Sequence, residues 1–278
     1  MSSHSVEIDR HLNANLKLNL GNSTPPRDAY SLYYEIFSRH ASLISQDREL
    51  LLKIQDPPRR VRKGKVIKSH DINANYLLAI QNGWACSCRV TKEGKRQIID
   101  LYLPGDIIGL RDHHAGRHSD EIIMLTEGLV IPMLKSNLDR VTQKGPHLVN
   151  AVLAAAVHQS NLMTDRLNNL ISHDATTRLA YFILEMHARL NLSRLESQDL
   201  SLPISQQTIG DLLSMTNVHV CRCLNILEAK EFLMRNKTSH NIHILKYEDL
   251  IEFSGFSTAY SYFFKKAFHG FYRTPKTH

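Results

Sequence analysis

The run His147–Leu170 contains no Gly and no Pro and is rich in Ala and Leu. So long an uninterrupted stretch, with apolar residues recurring every three or four positions, folds as one continuous helix. The pattern differs on its two sides. Before it, short β-favouring runs are cut by Gly turns, and after it, helical spacing returns in short pieces. A chain punctuated in this way is neither a simple bundle nor a single sheet. It predicts an α+β protein in which a β domain and a helical domain flank a helical spacer. The 278 residues suffice for about two domains. Leu148, Val152, Ala155, Gln159, Leu162 and Arg166 share one stripe of the long helix, and the small residues in its middle permit close approach. The stripe runs past the length that a small β domain can cover, which predicts a two-helix seam with a second copy of the chain. Packing against the chain's own β domain is the alternative.

Residues 1–28 are polar, rich in Asn and Ser, and read as a flexible arm that joins the fold near Tyr30. Tyr30–Phe37 and Gln46–Ile54 have helical spacing, and Asp56-Pro57-Pro58 ends it, because Pro cannot continue a helix. From Arg60 the period becomes that of strands: Val66-Ile67, Tyr76–Ile80, Trp84–Val90, Gln97–Leu103, Glu121–Leu125 and Gly128–Met133. The breaks fall at Lys63-Gly64, Asn82-Gly83, Lys92-Glu93-Gly94 and Pro104-Gly105-Asp106. Short strands with regular Gly turns predict a sandwich or small barrel.

The 34 basic against 27 acidic residues leave a net charge of +7, which permits a polyanionic partner without demanding one. No apolar run reaches the roughly 18 residues of a membrane span, and the first residues have neither the basic nor the apolar part of a secretory signal. A cytoplasmic location is expected, with no membrane partner. The four Cys form two Cys-x-Cys pairs, Cys86/Cys88 and Cys221/Cys223, which suits a reducing compartment better than a disulfide scaffold. The chain has no Ser/His/Asp set, no phosphate loop and no zinc motif at useful spacing, so a binding protein is expected, not an enzyme.

Ser172-His173-Asp174 interrupts the helical pattern, and either Ser172 or Asp174 can cap a following helix, Ala175–Asn191. A polar break between two long helices is a hinge candidate. Ser205 then caps a helix that buries Ile209, Leu212 and Leu213, Ser214-Met215-Thr216 makes a tight turn, and Thr216 caps a second helix that buries Val220, Leu224 and Leu227. Asn217, Val218, His219, Cys221 and Arg222 are left facing outward at the start of that second helix. This is a helix-turn-helix, whose second helix offers its first turns to the DNA major groove. Arg222 can read a guanine through two parallel hydrogen bonds, and Asn217 can read an adenine or hold a phosphate. Ser205, Gln206, Thr216 and His219 lie at helix starts, where free N–H groups attract phosphate. Phe232–Arg235 and Asn241–Leu245, around Lys237–His240, form a hairpin wing.

With these segments in place, Ile44–Tyr247 resembles the Crp/Fnr superfamily of bacterial transcription regulators. Asn82-Gly-Trp-Ala-Cys86, Gly94-Lys-Arg-Gln-Ile-Ile and Leu103-Pro-Gly-Asp-Ile-Ile-Gly are similar to its β-roll motifs. Leu212-Leu-Ser-Met-Thr-Asn-Val-His-Val-Cys-Arg222 is similar to its recognition helix. The resemblance implies a jelly-roll, or double-stranded β-helix, sensor domain over 29–136, a dimerisation helix over 137–172 and a winged helix-turn-helix over 173–249. The aromatic, basic tail over 250–278 departs from it, since relatives generally stop soon after the wing. The resemblance further implies a homodimer on a two-fold symmetric promoter site, with double-stranded DNA, a second copy and RNA polymerase as partners. A small-molecule effector is implied without being named.

The departures are specific. Where members reading the Fnr- or Crp-type half-site have Glu-x-x-Ser-Arg, this chain has Val218, Cys221 and Arg222, so only the Arg remains and the half-site should differ. The Gly-Glu and Arg-Ser/Thr-Ala that hold a cyclic nucleotide are absent from Ile108–Ile123, which predicts independence of cyclic AMP. Residues 1–85 contain no Cys, so the N-terminal iron–sulfur ligands of oxygen-sensing members are missing. No cofactor and no metal are expected. Arg111, His113, His114, Arg117 and His118 lie in the loop where relatives touch an effector; the histidines read as loop residues more than as ligands. Cys221, outward near a helix start, is a redox candidate. The rival reading is a small-molecule or redox sensor, or an interaction module, whose winged helix no longer reads DNA.

Overall fold

The computed structural model describes residues 31–69, 71–90, 96–111, 120–190, 198–236 and 241–257. The expected arm over 1–28 lies outside the described residues, as do His113, His114, Arg117 and His118.

Two helices open the described chain. α1 (Leu32–Ser38) is capped by the Ser31 hydroxyl, which accepts from the Tyr34 N–H. In front of α2 (Ser45–Ile54), the Asp47 carboxylate accepts from the Ile44 N–H at 2.9 Å. Eight strands follow: β1 (Arg59–Val61), β2 (Val66–Lys68), β3 (Tyr76–Asn82), β4 (Ala85–Val90), β5 (Arg96–Tyr102), β6 (Ile107–Ile108), β7 (Glu121–Met124) and β8 (Gly128–Leu134). They form two antiparallel four-stranded sheets, ordered β1-β8-β3-β6 and β2-β7-β4-β5. Each expected strand is present, and two more, β1 and β6, complete the first sheet at its edges. Their two or three residues are too short for a period to show. Gly83 makes the β3–β4 turn at φ +83°, and a Cβ there would sit 2.7 Å from the Glu127 carbonyl oxygen, so no other residue fits.

Successive residues of a strand face opposite ways, so these strands build three cores. Leu78, Ile80, Ala85, Tyr102 and Met124 fill the space between the sheets. On the far side of the first sheet, Leu77, Ala79, Ile131 and Met133 pack under Tyr33, Phe37, Leu148 and Ala151 of the helices. The Tyr33 hydroxyl is buried there, 3.0 and 2.9 Å from the Leu77 and Ile131 carbonyl oxygens. The far side of the second sheet presents Cys86, Cys88, Ile98 and Leu101 to the C-terminal helices, making one continuous core with them.

The interval 137–172 is two helices instead of the one expected. α3 (Asn137–Lys144) ends at Gly145, whose backbone (φ −140°, ψ 88°) is not helical, and α4 (Pro146–Ser172) starts with Pro at its first position. The stripe expected to be the dimer seam instead packs within the subunit. Leu148, Ala155, Leu162 and Arg166 are buried, and the Gln159 side-chain amide donates to the Ile107 carbonyl at 2.9 Å. The physical reason is that the roll does not cover α4 alone. The next helix folds back beside it, so the stripe finds intramolecular partners along its whole length. The opposite face, Asn150, Leu153, Val157, Ser160, Thr164, Leu167 and Ile171, is exposed at alternating spacings of three and four.

Beyond the break at Ser172–Asp174 comes α5 (Ala175–Leu190), capped by Asp174, whose carboxylate accepts from the Thr176 and Thr177 N–H groups at 2.8 and 2.9 Å. Those bonds hold its carboxyl below the ordinary value. Then follow β9 (Asp199–Ser201), α6 (Gln206–Leu213), α7 (Asn217–Ala229), β10 (Leu233–Asn236), β11 (Asn241–Ile244) and α8 (Tyr247–Ser254). The wing is a three-stranded antiparallel sheet, β10-β11-β9, one strand more than the expected hairpin. Of the tail, Phe256 packs edge-on against Tyr181 with ring centres 5.1 Å apart, and 258–278 lie outside the described residues.

Candidate nucleic-acid interface

Two caps and one glycine make the helix-turn-helix. The Ser205 hydroxyl accepts from the Thr208 N–H at 3.1 Å, and the Thr216 hydroxyl from the His219 N–H at 3.2 Å. Between the helices, Ser214 takes the left-handed conformation (φ 56°), and the Met215 N–H donates to the Gly210 carbonyl at 2.8 Å. A Cβ on Gly210 would lie 2.5 Å from the Met215 carbonyl oxygen, so the close turn requires Gly in the first helix. Ile209, Leu212, Leu213, Val220, Cys223, Leu224 and Leu227 are buried. Asn217, Val218, His219, Cys221 and Arg222 are all exposed on one end of α7. The structure thus brings together each of the expected reading residues, with Ser205 exposed and Gln206 half-buried at the start of α6.

The wing is tied to the back of α7. On β10, Arg235 donates to the Glu228 carboxylate at 2.5 Å and to the Asn225 side-chain oxygen at 2.6 Å, and its backbone N–H donates to Glu228 at 3.0 Å. The Cys221 thiol also approaches the Arg235 guanidinium. Sequence reasoning missed this clamp, because nothing local pairs Arg235 with Glu228 across a turn.

A second feature joins the two domains. Arg166 of α4 is buried between Asp100 of β5 and Glu185 of α5. It hydrogen-bonds Asp100 through one terminal nitrogen and meets Glu185 through Nε and Nη2, the shortest contact being 2.6 Å. Arg189, one turn along α5, reaches Glu185 at 3.2 Å and Asp106, in the turn after β5, at 2.5 Å. Burial pushes the Asp106 carboxyl above its ordinary value, and the Arg189 charge pulls in the opposite direction. Asp100 also pairs with Arg111. The signal for this network was present in the sequence: Asp100 interrupts an apolar strand, and Glu185 interrupts Tyr181–Met186.

Arg111 and Asp100 line a cavity of about 210 Å³ in the roll, together with Lys68, Ser87, Asp120 and Met163. Its cations are engaged. Lys68 donates to the carbonyls of Asn73, Ala74 and Tyr76 at 2.9, 3.1 and 2.8 Å, and Arg111 is on Asp100. Among the described residues, no group of three or more His, Cys, Asp or Glu is placed to hold a metal.

Comparison with known proteins matches both halves. Residues 58–144 match a cyclic nucleotide-binding domain and residues 177–253 a Crp-like helix-turn-helix domain. The chain belongs to the Crp/Fnr family of transcription regulators. It is 26% identical to the nitrogen fixation regulation protein FixK of Bradyrhizobium diazoefficiens, over 59% of this chain and 68% of that protein. It is 23% identical to the fumarate and nitrate reduction regulatory protein of Vibrio cholerae, over 78% of this chain and 86% of the other. FixK2 from Bradyrhizobium japonicum superposes with a TM-score of 0.62 at 25% identity, covering 70% of this chain and 96% of its own. A CooA mutant from Carboxydothermus hydrogenoformans shares the fold at a TM-score of 0.59 and 18% identity, covering 73% and 88%. In this Crp/Fnr regulator the strands of the roll fall within the match to the cyclic nucleotide-binding domain, and α6–α7 within the match to the Crp-like helix-turn-helix domain. No helix among the described residues is long and apolar enough to cross a membrane.

Proposed function

We propose that this Crp/Fnr regulator acts as a homodimer on a two-fold symmetric promoter site, without cyclic AMP. The observation that carries the reading is the outward face of α7. Arg222, Asn217, Val218, His219 and Cys221 project from a helix whose other side is anchored by Val220, Cys223, Leu224 and Leu227. Arg222 reads a guanine edge and Asn217 an adenine or a phosphate, while Ser205, Gln206, Thr216 and His219 hold the backbone.

The dimer rests on α4. Leu153, Val157, Leu167 and Ile171 are 61, 49, 56 and 75% exposed, and with Ser160 and Thr164 they follow a heptad spacing. A sustained apolar seam of this period is buried by a second helix. Two copies crossing there would place their α7 helices in successive major grooves, about 34 Å apart.

The charges that the described residues bring to the cavity support independence of cyclic AMP. A cyclic phosphate entering it meets the carboxylates of Asp100 and Asp120, while Lys68 and Arg111 are already committed. Among the described lining residues, a phosphate would find hydroxyls and carboxylates in place of an uncommitted cation, which is a poor match for a buried anion. A different effector in the roll would act by population shift through Arg111, Asp100 and Arg166 to α5, and so on the spacing of the two reading helices. RNA polymerase is the protein partner that such a promoter-bound dimer serves.

The test is selection of the purified protein against a random duplex pool at physiological salt, with and without cyclic AMP. Enrichment of a two-fold site that ignores the nucleotide supports the reading. A pool that stays random, even with cell extract added, supports instead a sensor whose winged helix has ceased to read DNA. Salt matters because phosphate contacts alone weaken steeply as it rises.

A further inference from the structure

Val218 is the second residue of α7 and is 70% exposed. Asn217, His219, Cys221 and Arg222, which share its end of the helix, each present a polar or polarisable group, whereas Val218 presents only methyls. The subunit makes no use of it: Val220 and Leu224 bury the helix, and a β-branched residue gives no gain in helix propensity. It lies on the reading surface itself, between residues that address bases and phosphates.

The major-groove edge of a base pair presents hydrogen-bonding groups and one apolar group, the C5 methyl of thymine. A side chain that offers only methyls to that edge can find a matching surface there and nowhere else in the groove. We infer that Val218 reads a thymine methyl, so that each half-site carries a T·A pair close to the guanine taken by Arg222. Four residues separate the two side chains, about 6 Å along the helix axis. DNA rises about 3.4 Å per base pair, so the thymine lies within about two steps of that guanine. The inference rests on the DNA-reading function proposed above and specifies what that surface selects.

The probe is the selected duplex with each thymine of both half-sites replaced in turn by deoxyuridine, which removes the methyl and keeps every hydrogen bond. Affinity of the full-length protein is measured by fluorescence anisotropy at fixed salt. Replacement of the thymine under Val218 is expected to weaken binding about fourfold per half-site, the effect of one methyl-sized apolar contact. Val218→Ala, which keeps a single methyl set closer to the helix, should lose affinity and show a smaller penalty for deoxyuridine at that position. Its thermal melt should stay close to the parent's, since Val218 is 70% exposed.

A protein that holds its two-fold site tightly yet ignores every deoxyuridine overturns the inference and leaves the regulator reading intact. So does a thymine dependence that Val218→Ala retains in full. Failure to select any two-fold site overturns both. Arg222→Ala in the same assay separates the cases, because a site lost on that change is being read by α7 whatever Val218 does.

Discussion

Arg166 and Glu185 meet in a two-pronged ion pair that joins the long helix to the first helix of the DNA-binding domain, with contacts of 2.6 to 3.2 Å and both side chains buried. Asp100 holds the other side of the same guanidinium, so the second sheet of the roll, the long helix and the helix-turn-helix domain share one cation.

Removing that cation leaves two buried carboxylates facing each other. Arg166→Ala should cost about 3 kcal/mol in denaturant-induced unfolding, at the low end for a broken buried pair because Arg189 still reaches Glu185. Cleavage by protease near Ser172–Asp174 should rise at the same time. A variant within about 0.5 kcal/mol of the parent, with unchanged cleavage, would show that the domains are held by the shared apolar core alone.

His40 and His158 pack with ring centres 5.4 Å apart and planes tilted by 45°. Burial first, then the His158 and Arg39 charges, lowers the His40 imidazole to about 4, and burial and Arg189 do the same to His158. Both are neutral in the fold and ordinary in the unfolded chain, so the unfolded state gains protons first as the pH falls. Stability should therefore drop between about pH 6.5 and 4, by a few kcal/mol for the pair, and the effect should saturate below that window. His158→Gln should flatten the melting temperature against pH; a slope parallel to the parent's would rule the pair out as its source.

Arg222→Ala should lose about 1–3 kcal/mol on the selected site and little on random DNA. An equal loss on both sequences would reduce Arg222 to a phosphate contact.

Leu167→Glu places two like charges across the proposed seam without disturbing the subunit's own packing, since Leu167 is 56% exposed. The dimer dissociation constant, read by sedimentation, should rise at least about tenfold, which corresponds to about 1.4 kcal/mol. An undiminished dimer would move the interface elsewhere.

Cys221 is exposed on the reading face beside Arg235, whereas Cys86, Cys88 and Cys223 are buried. Peroxide should abolish specific DNA binding of the parent, by adding bulk and charge where the groove must approach. Cys221→Ser should be indifferent. Equal sensitivity of the two proteins would place the oxidation at another residue.

The helix-turn-helix was legible in the sequence because its determinants are local. Ser205 and Thr216 cap helices within three residues of themselves, Ser214 ends the first helix, and the outward residues follow from the 3.6-residue period once Val220 and Leu224 are inside. The six expected strands were legible for the same reason, since alternation and turn glycines act over a few residues. Edge strands β1, β6 and β9 were not, because pieces of two or three residues form only when a neighbour's backbone waits for them.

The long helix shows where local pattern ends. His147–Leu170 had to be helical, but it carries two stripes of the same heptad period, one through Leu148, Ala155 and Leu162 and the other through Leu153, Val157, Leu167 and Ile171. Periodicity determines that two faces exist and is silent on which one meets the chain's own domains. Tertiary structure decided it: Ile107 offers a carbonyl to Gln159, and Asp100 and Glu185 offer carboxylates to Arg166, so the stripe holding those polar residues turns inward and the wholly uncharged one is left exposed. Buried polar groups need designated partners, and those partners come from segments tens of residues away, which only the folded chain brings into reach.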